Sequence, residues 1–417
     1  MDRCKMIVII LKGADMKTDL NQTLPLSFTT TEFFQNPYPF YEKLRSMHPI
    51  YWGNLLKYPG WYVTGYEEAI TILKDTRFKN RTPLPQTSKK YEQLKNIQND
   101  MMLFKNQPDH KRLRFLVSNL FTPRMVEHLR PFIQETVNDL LQQFQNKKTM
   151  DVVSDFAFPL ASLVIAKILG VPQEERYQFR EWAASLIQTI DFTRSRKALD
   201  NGNAITIILR DYFNELIKKR KHSPEEDLIS LLIKEEQQGD RLTDEELLAT
   251  CILLVIAGHE TTVNLISNSI LTLLKHPNQL MELKEKPLLI EGAIEECLRY
   301  ESPTQMTARI ATEDIEIHHT TIKKGEQIYI LLGAANRDQN KFHDSHLFDI
   351  TRNPNPHLAF GYGTHFCLGA PLARLETQIA IKSFLVWKDN LQLAASDLQW
   401  RKLIGFRSLN ELQIIFD

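Results

Sequence analysis

Two periods of apolar residues run along this chain, one typical of strands and the other typical of helices. Short runs of aromatic and β-branched residues near Tyr51 and in Trp61–Thr64 predict strands. Helical spacing follows from about Tyr66 to Lys74, whereas residues 79–107 are polar and rich in Pro, Gln, Asn and Lys. The early part of the chain is therefore predicted to mix short strands with a helix, followed by an irregular segment.

Helical periodicity dominates the chain from about residue 109 to residue 300. A second strand-rich region is predicted near Ile315–Ile317 and Ile328–Leu332, with Lys324-Gly325 as a turn between them. No internal repeat and no low-complexity linker divides the sequence. The pattern predicts a mainly α fold with small β-sheets at one side, in a single large domain.

The longest predicted helix extends from Thr243 to about Lys275. Thr243 begins a capping box, and Pro277 stops the run. At 1.5 Å per residue the helix is about 48 Å long, enough to cross a whole domain. Glycine and threonine are poor helix formers at midspan. We therefore expect Gly258 to let a flat ligand approach, and Thr261 to hydrogen-bond to a carbonyl one turn earlier.

Candidate chemistry is densest in the run from Phe360 to Gly369, FGYGTHFCLG. Cys367 precedes an amphipathic helix predicted from Leu368 to about Leu385, and a helix N-terminus stabilises a nearby thiolate. No cysteine or histidine stands around it at zinc spacing, so a lone thiolate suits a haem iron. Phe360 and Phe366 would keep water from the sulfur. The alternative is a buried structural cysteine before a helix.

Composition excludes several other classes of function. The 417 residues are 43% hydrophobic and 24% charged, enough for a large core. Lys+Arg and Asp+Glu are both 51, so nothing predicts binding to nucleic acid or to a membrane. The four cysteines (Cys4, Cys251, Cys297 and Cys367) are far apart and indicate reduced thiols in a cytoplasmic protein.

Two apolar segments are too short to span a bilayer. The run Met6–Leu11 has six residues, and Phe156–Leu169 is interrupted by Pro159 and Lys167. We expect residues 1–15 to be a disordered extension, or translation to start at Met16. The domain itself is expected to comprise residues 16–417.

The motifs together resemble the cytochrome P450 family. The spacing F-x-x-G-x-H-x-C-x-G around Cys367 resembles the family's haem-ligand loop, and Ala257–Thr262 resembles its oxygen-binding motif. The resemblance extends over about residues 36–417, with the motifs in the family's order. It implies the cytochrome P450 fold, haem b held by iron ligation to Cys367, and Glu260 and Thr261 delivering protons during dioxygen activation. A zinc-protease motif is excluded, since Val263 stands where a second histidine is needed.

Two further sets of residues match the family. His110 and Arg114 lie four residues apart on one helical face, where they are either a solvated basic surface or partners of the haem propionates. Through the resemblance, Arg309 and His365 join them, and Ala257, Gly258, Phe360 and Gly369 complete the predicted cofactor contacts.

The other set is Glu296 and Arg299, with Arg352 as the third member by resemblance. It is either a surface ion pair or a buried structural group of the E-x-x-R type.

The predicted function is that of a haem-thiolate monooxygenase, which inserts one oxygen atom of O2 into an apolar small molecule. No G-x-G-x-x-G fingerprint is present, so a separate ferredoxin or flavodoxin with its reductase should supply electrons. We expect that partner to dock on the cysteine side near Lys111 and Arg112, and the enzyme to be a monomer.

The substrate pocket is expected to include six residues, each of which could equally belong to an ordinary core: Met101, Leu186, Leu254, Ala257, Met306 and Phe406. Such a pocket would accept fatty acids, terpenoids, steroids, a macrolide-like product or a carrier-bound substrate. Alternatives to the monooxygenase are a peroxide-driven or oxidative-coupling haem enzyme and a non-catalytic haem sensor. The Glu260–Thr261 pair favours dioxygen activation over these alternatives.

Overall fold

The computed structural model describes residues 27–56, 59–80, 84, 89–118, 121–175, 178–235, 240–388, 390–394 and 398–417, except for the side chains at 173 and 180. The predictions for residues 1–15 and for Met16 lie outside this range. The α-helices are α1 (Thr31–Gln35), α2 (Tyr38–Met47), α3 (Tyr66–Lys74), α4 (Glu92–Asp100), α5 (Asp109–Ser118), α6 (Pro123–Glu127), α7 (Arg130–Gln142), α8 (Phe158–Ile168), α9 (Gln178–Ile190), α10 (Arg196–His222), α11 (Leu228–Lys234), α12 (Asp244–Lys275), α13 (Pro277–Glu285), α14 (Ile290–Tyr300), α15 (Leu332–Ala335) and α16 (Ala370–Trp387).

Small β-sheets accompany the helices, as predicted. The strands are β1 (Ile50–Gly53), β2 (Gly60–Val63), β3 (Phe78–Lys79), β4 (Thr149–Asp151), β5 (Thr307–Ala311), β6 (Ile315–Ile317), β7 (Thr320–Ile322), β8 (Gln327–Ile330), β9 (Gln392–Leu393) and β10 (Gln413–Ile415). They form a five-stranded sheet in the order β1-β2-β8-β5-β3, a three-stranded sheet β4-β10-β9 and the hairpin β6-β7. Strand β2 pairs with β8 in parallel, and the other pairs are antiparallel.

Helix α12 passes through the middle of the main hydrophobic core. Its capping box is formed as predicted, with the Thr243 hydroxyl accepting from the Glu246 amide and the Glu246 carboxylate accepting from the Thr243 amide. The helix packs against α8, α9 and α16. Among the described helices, α12 is long and apolar enough to cross a membrane, but 78% of that apolar window is buried inside the fold. Its apolar character is that of a core helix.

Most predicted elements are confirmed, and one prediction was wrong. Helix α3 has the predicted bounds, and strands lie at the predicted positions around Tyr51 and Trp61. The segment 79–107 was predicted to be irregular, yet it contains α4. Its buried positions are Leu94, Ile97 and Gln98, so a polar residue supplies part of the buried face. A polar residue at a buried position interrupts the helical spacing of apolar residues, so the helix was not recognised from that spacing.

Candidate active site

A cavity of 710 Å³ lies between the middle of α12, the start of α16 and the loop that precedes α16. Residues predicted from sequence to contact the cofactor all line it: His110, Arg114, Ala257, Gly258, Arg309, Phe360, His365, Cys367 and Gly369. These residues come from widely separated parts of the chain. The fold therefore brings together the whole set that the motifs singled out.

The loop around Cys367 is shaped by glycines with left-handed backbone conformation. Gly361 and Gly363 both have a φ of 72°, a region that other residues rarely adopt. A Cβ atom at Gly363 would lie 2.6 Å from the Leu73 carbonyl oxygen, so this loop also approaches the backbone at the C-terminal end of α3 closely. The Cys367 amide donates to the Phe360 carbonyl at 2.9 Å, which closes the loop and leaves the sulfur facing the cavity.

Two opposing effects act on the Cys367 thiol. Burial raises its pKa, while the amides of Gly369 and Ala370 and the guanidinium groups of Arg114 and Arg374 lower it. Burial outweighs the others, and the net pKa lies above that of an ordinary thiol. This differs from the expectation that the helix start alone would yield a thiolate. A metal cation held by Cys367 would supply the additional positive charge that favours the thiolate.

A cluster of basic side chains lies elsewhere on the cavity wall. The rings of His110 and His365 are 3.8 Å apart, and the Nδ1 atom of His110 is buried without a hydrogen-bond partner. Burial, aided by neighbouring Arg114 and Arg309, lowers the pKa of His110 to about 4. Burial together with His110 and both arginines lowers the pKa of His365 to about 3.

The positive charges of the two arginines in this cluster, Arg114 and Arg309, are not balanced by nearby carboxylates among the described residues. Within the part of the chain that the structure describes, Arg309 donates to neutral partners, Thr307 Oγ1 at 3.1 Å and the Ala308 carbonyl at 2.8 Å, and burial lowers its pKa to about 10. Burial also lowers the pKa of Arg114. Among the described residues, neither arginine forms an ion pair with a carboxylate. Because buried cations are costly without anions, this cluster fits the two propionate carboxylates of haem.

Thr261 lines the cavity from α12 and donates its hydroxyl proton to the Ala257 carbonyl at 2.7 Å, as predicted. Gly258 lines the cavity as well, but its absent side chain would point toward α8. A Cβ atom there would lie 2.1 Å from Ile165 Cδ1. Close packing of α12 against α8 is therefore a further reason for glycine at this position, beside the predicted approach of a flat ligand.

Glu260 lies outside the cavity wall and is 6% exposed. Its carboxylate accepts from the Ser408 hydroxyl at 2.9 Å and forms an ion pair with Arg401. Sequence reasoning missed both partners, which lie far along the chain and in no recognisable motif. Both contacts fall on the same carboxylate oxygen, Oε1.

The E-x-x-R group is buried. Arg299 and Glu296 have fully buried side chains, and their closest atoms are 2.7 Å apart. Arg352 approaches Glu296 at 3.2 Å, and the guanidinium of Arg299 also donates to three backbone carbonyls, those of Asn336, Ser345 and Leu347. The surface-pair interpretation is thereby excluded.

The predicted substrate contacts divide into two groups. Leu254, Ala257, Met306 and Phe406 line the cavity. Met101 and Leu186 are 1% exposed and lie in the core, while the adjacent residues Met102 and Ile187 line the cavity instead. In α9 one residue rotates the helix by about 100°, so an error of one position separates the buried Leu186 from Ile187, which lines the cavity; Met101 and Met102 follow directly after α4.

The predicted docking residues differ in how strongly they are already engaged. Lys111 is exposed on α5. Arg112 is bound to Glu246 and lies 3.4 Å from Asp240. Its charge is therefore partly neutralised within the chain.

Comparison with known proteins agrees with this geometry. The family model described as Cytochrome P450 matches residues 21–386. A Bacillus subtilis (strain 168) protein named "Biotin biosynthesis cytochrome P450" is 62% identical over 395 residues, which is 95% of this chain and 100% of that protein. "Polyketide biosynthesis cytochrome P450 PksS" of the same organism is 39% identical, over 92% of this chain and 96% of that protein.

The solved structures give the same result. The structure titled "Crystal Structure of P450BioI in complex with hexadec-9Z-enoic acid ligated Acyl Carrier Protein" matches with a TM-score of 0.90 and 63% identity, covering 93% of this chain and 100% of that one. This chain therefore belongs to the cytochrome P450 family. It is an oxidoreductase of the P450 monooxygenase class with haem b as its cofactor.

Proposed function

We propose that this enzyme inserts one oxygen atom of O2 into the alkyl part of an acyl group that is attached to an acyl carrier protein. The observation that carries the proposal is the 63% identity to a P450 whose solved structure is described as a complex with a fatty acid ligated to acyl carrier protein. The cavity is compatible with an extended alkyl chain, because apolar side chains form much of its wall, among them Ile187, Ile190, Leu199, Leu254, Met306 and Phe406.

Cys367 is the proposed iron ligand in this site. The proposed propionate partners are His110, Arg114, Arg309 and His365, which would make charge-assisted hydrogen bonds to the two carboxylates. Ala257, Gly258, Phe360 and Gly369 would contact the flat faces of the ring. When bound, haem supplies the activation of dioxygen and the transfer of an oxygen atom.

Thr261 and Glu260 are the proposed proton-delivery residues. The Thr261 hydroxyl donates its proton to the Ala257 carbonyl. Its oxygen can therefore still accept a hydrogen bond from a water molecule in the cavity. Glu260 would exchange protons with the interior after leaving Arg401 and Ser408, its partners in the structure. A Thr261→Ala variant tests the assignment, because it should keep haem yet divert electrons to hydrogen peroxide.

We further propose a separate ferredoxin or flavodoxin with its reductase as electron donor, docking near exposed Lys111.

Residues 16–417 would form one haem-binding domain that acts as a cytoplasmic monomer, and the free thiols Cys251, Cys297 and Cys367 fit a reducing compartment. Cell fractionation and light scattering would test location and oligomeric state. A membrane-bound or dimeric enzyme would contradict these parts of the proposal.

The central experiment compares hexadec-9Z-enoyl acyl carrier protein with the free acid as substrate for the holoenzyme. We expect the carrier-bound form to shift the haem spin state at lower concentration, and to give an oxidised acyl chain by mass spectrometry. Equal affinity and turnover for the free acid would contradict the carrier requirement. The reduced carbon-monoxide difference spectrum tests Cys367 separately, because an imidazole-type Soret band would refute thiolate ligation.

A further inference from the structure

Asp191 is a buried carboxylate that belongs to none of the motifs described above, and its neighbours Ile190 and Phe192 line the cavity. It follows directly after the last residue of α9 and is 1% exposed. A buried carboxylate is costly unless hydrogen bonds satisfy it. Its donors therefore show what it holds in place.

The donors to Asp191 come from two segments that are far apart in the chain. Within its own loop, the Thr193 amide donates to Oδ1 at 2.8 Å. From the C-terminal segment, the Gly405 amide donates to Oδ2 at 2.8 Å and the Ile404 amide approaches Oδ1 at 3.4 Å. The two carboxylate oxygens thus join the α9–α10 connection (residues 191–195) to residues 402–407.

Thr193 adds a second connection between the same segments. Its hydroxyl lies within hydrogen-bond distance of both Asp191 Oδ1 and the Lys402 carbonyl, the latter at 3.2 Å, and donates its single proton to one of them at a time. The junction is also tightly packed. A Cβ atom at Gly405 would lie 3.0 Å from Asp191 Oδ2 and 3.5 Å from the Phe192 ring.

Both joined segments form walls of the cavity. Phe192 lines it from the α9–α10 connection, and Gly405 and Phe406 line it from the C-terminal segment. On its other side, the C-terminal segment is held to the residues before β5. The Gln305 amide donates to the Gly405 carbonyl at 2.9 Å, and Phe406 forms a β-bridge with Thr304. Residues 404–406 therefore lie between two fixed attachments, and Asp191 provides one of them.

We propose that Asp191 is a positioning residue for oxidation, since it fixes Phe192 and Phe406 relative to each other and so selects which carbon of the substrate is oxidised. Neighbouring carbons of an alkyl chain differ little in chemistry, so selection between them depends on placement to within about an ångström. The inference adds a specificity residue to the monooxygenase. Its product assay rests on the acyl substrate proposed above.

The test uses the holoenzyme with Asp191→Asn and Gly405→Ala. Asparagine has one acceptor oxygen in place of two, so in either orientation of its side-chain amide one of the two backbone amides, Thr193 or Gly405, faces an NH2 donor and the junction is broken on one side. Gly405→Ala disturbs the same contact from the opposite side and keeps the carboxylate. Ile133→Val in α7, fully buried and outside the cavity wall, is the control for general loss of stability.

Hydrogen exchange followed by mass spectrometry reports on the junction without any substrate. We expect exchange in 402–407 to become about tenfold faster in both junction variants and to stay unchanged in Ile133→Val, because amides held by Asp191 lose their acceptor. Unchanged exchange in 402–407 in both junction variants would overturn the proposal, whatever the substrate proves to be.

The product assay then measures selectivity with hexadec-9Z-enoyl acyl carrier protein. We expect both variants to spread oxidation over adjacent carbons and to raise KM about tenfold, with kcat within about twofold of wild type. Product ratios identical to wild type together with faster exchange would also overturn the positioning role. If the wild-type enzyme oxidises no acyl substrate, the proposed substrate fails, while the exchange experiment still decides whether Asp191 holds the two walls together.

Discussion

The most severe single change predicted from this structure is Arg299→Met. Methionine fills similar space but removes the charge that faces Glu296, whose side chain is fully buried. Arg352 remains 3.2 Å from Glu296 and cannot replace the two-pronged contact of Arg299. The variant also removes the donor to three backbone carbonyls, those of Asn336, Ser345 and Leu347.

The expected loss follows from these contacts. Removing one partner of a buried ion pair costs about 3–5 kcal/mol, and each buried carbonyl left unpaired adds about 1 kcal/mol or more. Native proteins are stable by only about 5–15 kcal/mol, so the variant should lose a third of its stability or more. With a urea slope of about 3 kcal/mol per molar, the combined loss of about 6–8 kcal/mol should lower the midpoint by about 2–3 M.

Urea unfolding followed by circular dichroism measures this shift, and the pyridine haemochromogen assay measures haem bound per chain. Arg77→Met is the matched control, because Arg77 contacts Asp75 and Glu313 at the surface and should leave the midpoint nearly unchanged. Arg299→Lys should recover only part of the loss, since lysine lacks the planar fork. An Arg299→Met midpoint within about 0.3 M of wild type with full haem content would refute this reasoning.

Three further predictions follow from single sites. Burial raises the pKa of Glu376 well above 4.5 in the folded protein. The folded protein therefore loses stability as the pH rises from 4.5 toward the raised pKa, because the unfolded chain releases the proton more easily. Glu376→Gln should raise the urea midpoint at pH 8, and this gain should shrink as the pH falls toward 4.5. Burial raises the pKa of Glu295, but hydrogen bonds from Arg374 and His357 lower it to about 2. Its contribution is present above pH 4.5 and lost as pH falls toward 2, so Glu295→Gln should lower the midpoint at neutral pH, and a gain there would contradict the assignment. Gly258→Ala should cost about 1–3 kcal/mol by overpacking against Ile165, and a double-mutant cycle with Ile165→Ala should show coupling, whereas strict additivity would refute the contact.

Sequence patterns predicted helix ends and loops well where the residues that determine them lie next to each other in the chain. The capping box at Thr243 and the stop at Pro277 placed both ends of α12, because cap contacts are local. The glycines around Cys367 marked a loop in which two of them adopt positive φ. The cofactor set was predictable for a different reason. Motif spacing and family resemblance identified residues on separate elements, and the fold brings them to one cavity.

Prediction failed where the determining contact lies far along the chain or depends on helix phase. Met101 and Leu186 carry the same apolar signal as Met102 and Ile187, so composition could not tell which member of each pair faces the cavity. The direction of the Cys367 pKa was also misjudged, because desolvation by the surrounding protein opposes the effect of the helix start. Both errors concern tertiary environment, which local sequence does not encode.

Residues 401–408 are an example of contacts between distant segments that local sequence does not predict. This segment has no helical or strand period, and sequence reasoning drew from it only the pocket residue Phe406. In the fold, Arg401 and Ser408 are the partners of Glu260, while the Gly405 amide is a partner of Asp191. Without those donors, Glu260 would lose both partners described above and Asp191 would keep only Thr193, although a buried carboxylate is costly unless hydrogen bonds or an opposite charge satisfy it. The segment is therefore a condition for placing acids on both the α12 side and the α9 side of the site, as well as part of the cavity wall.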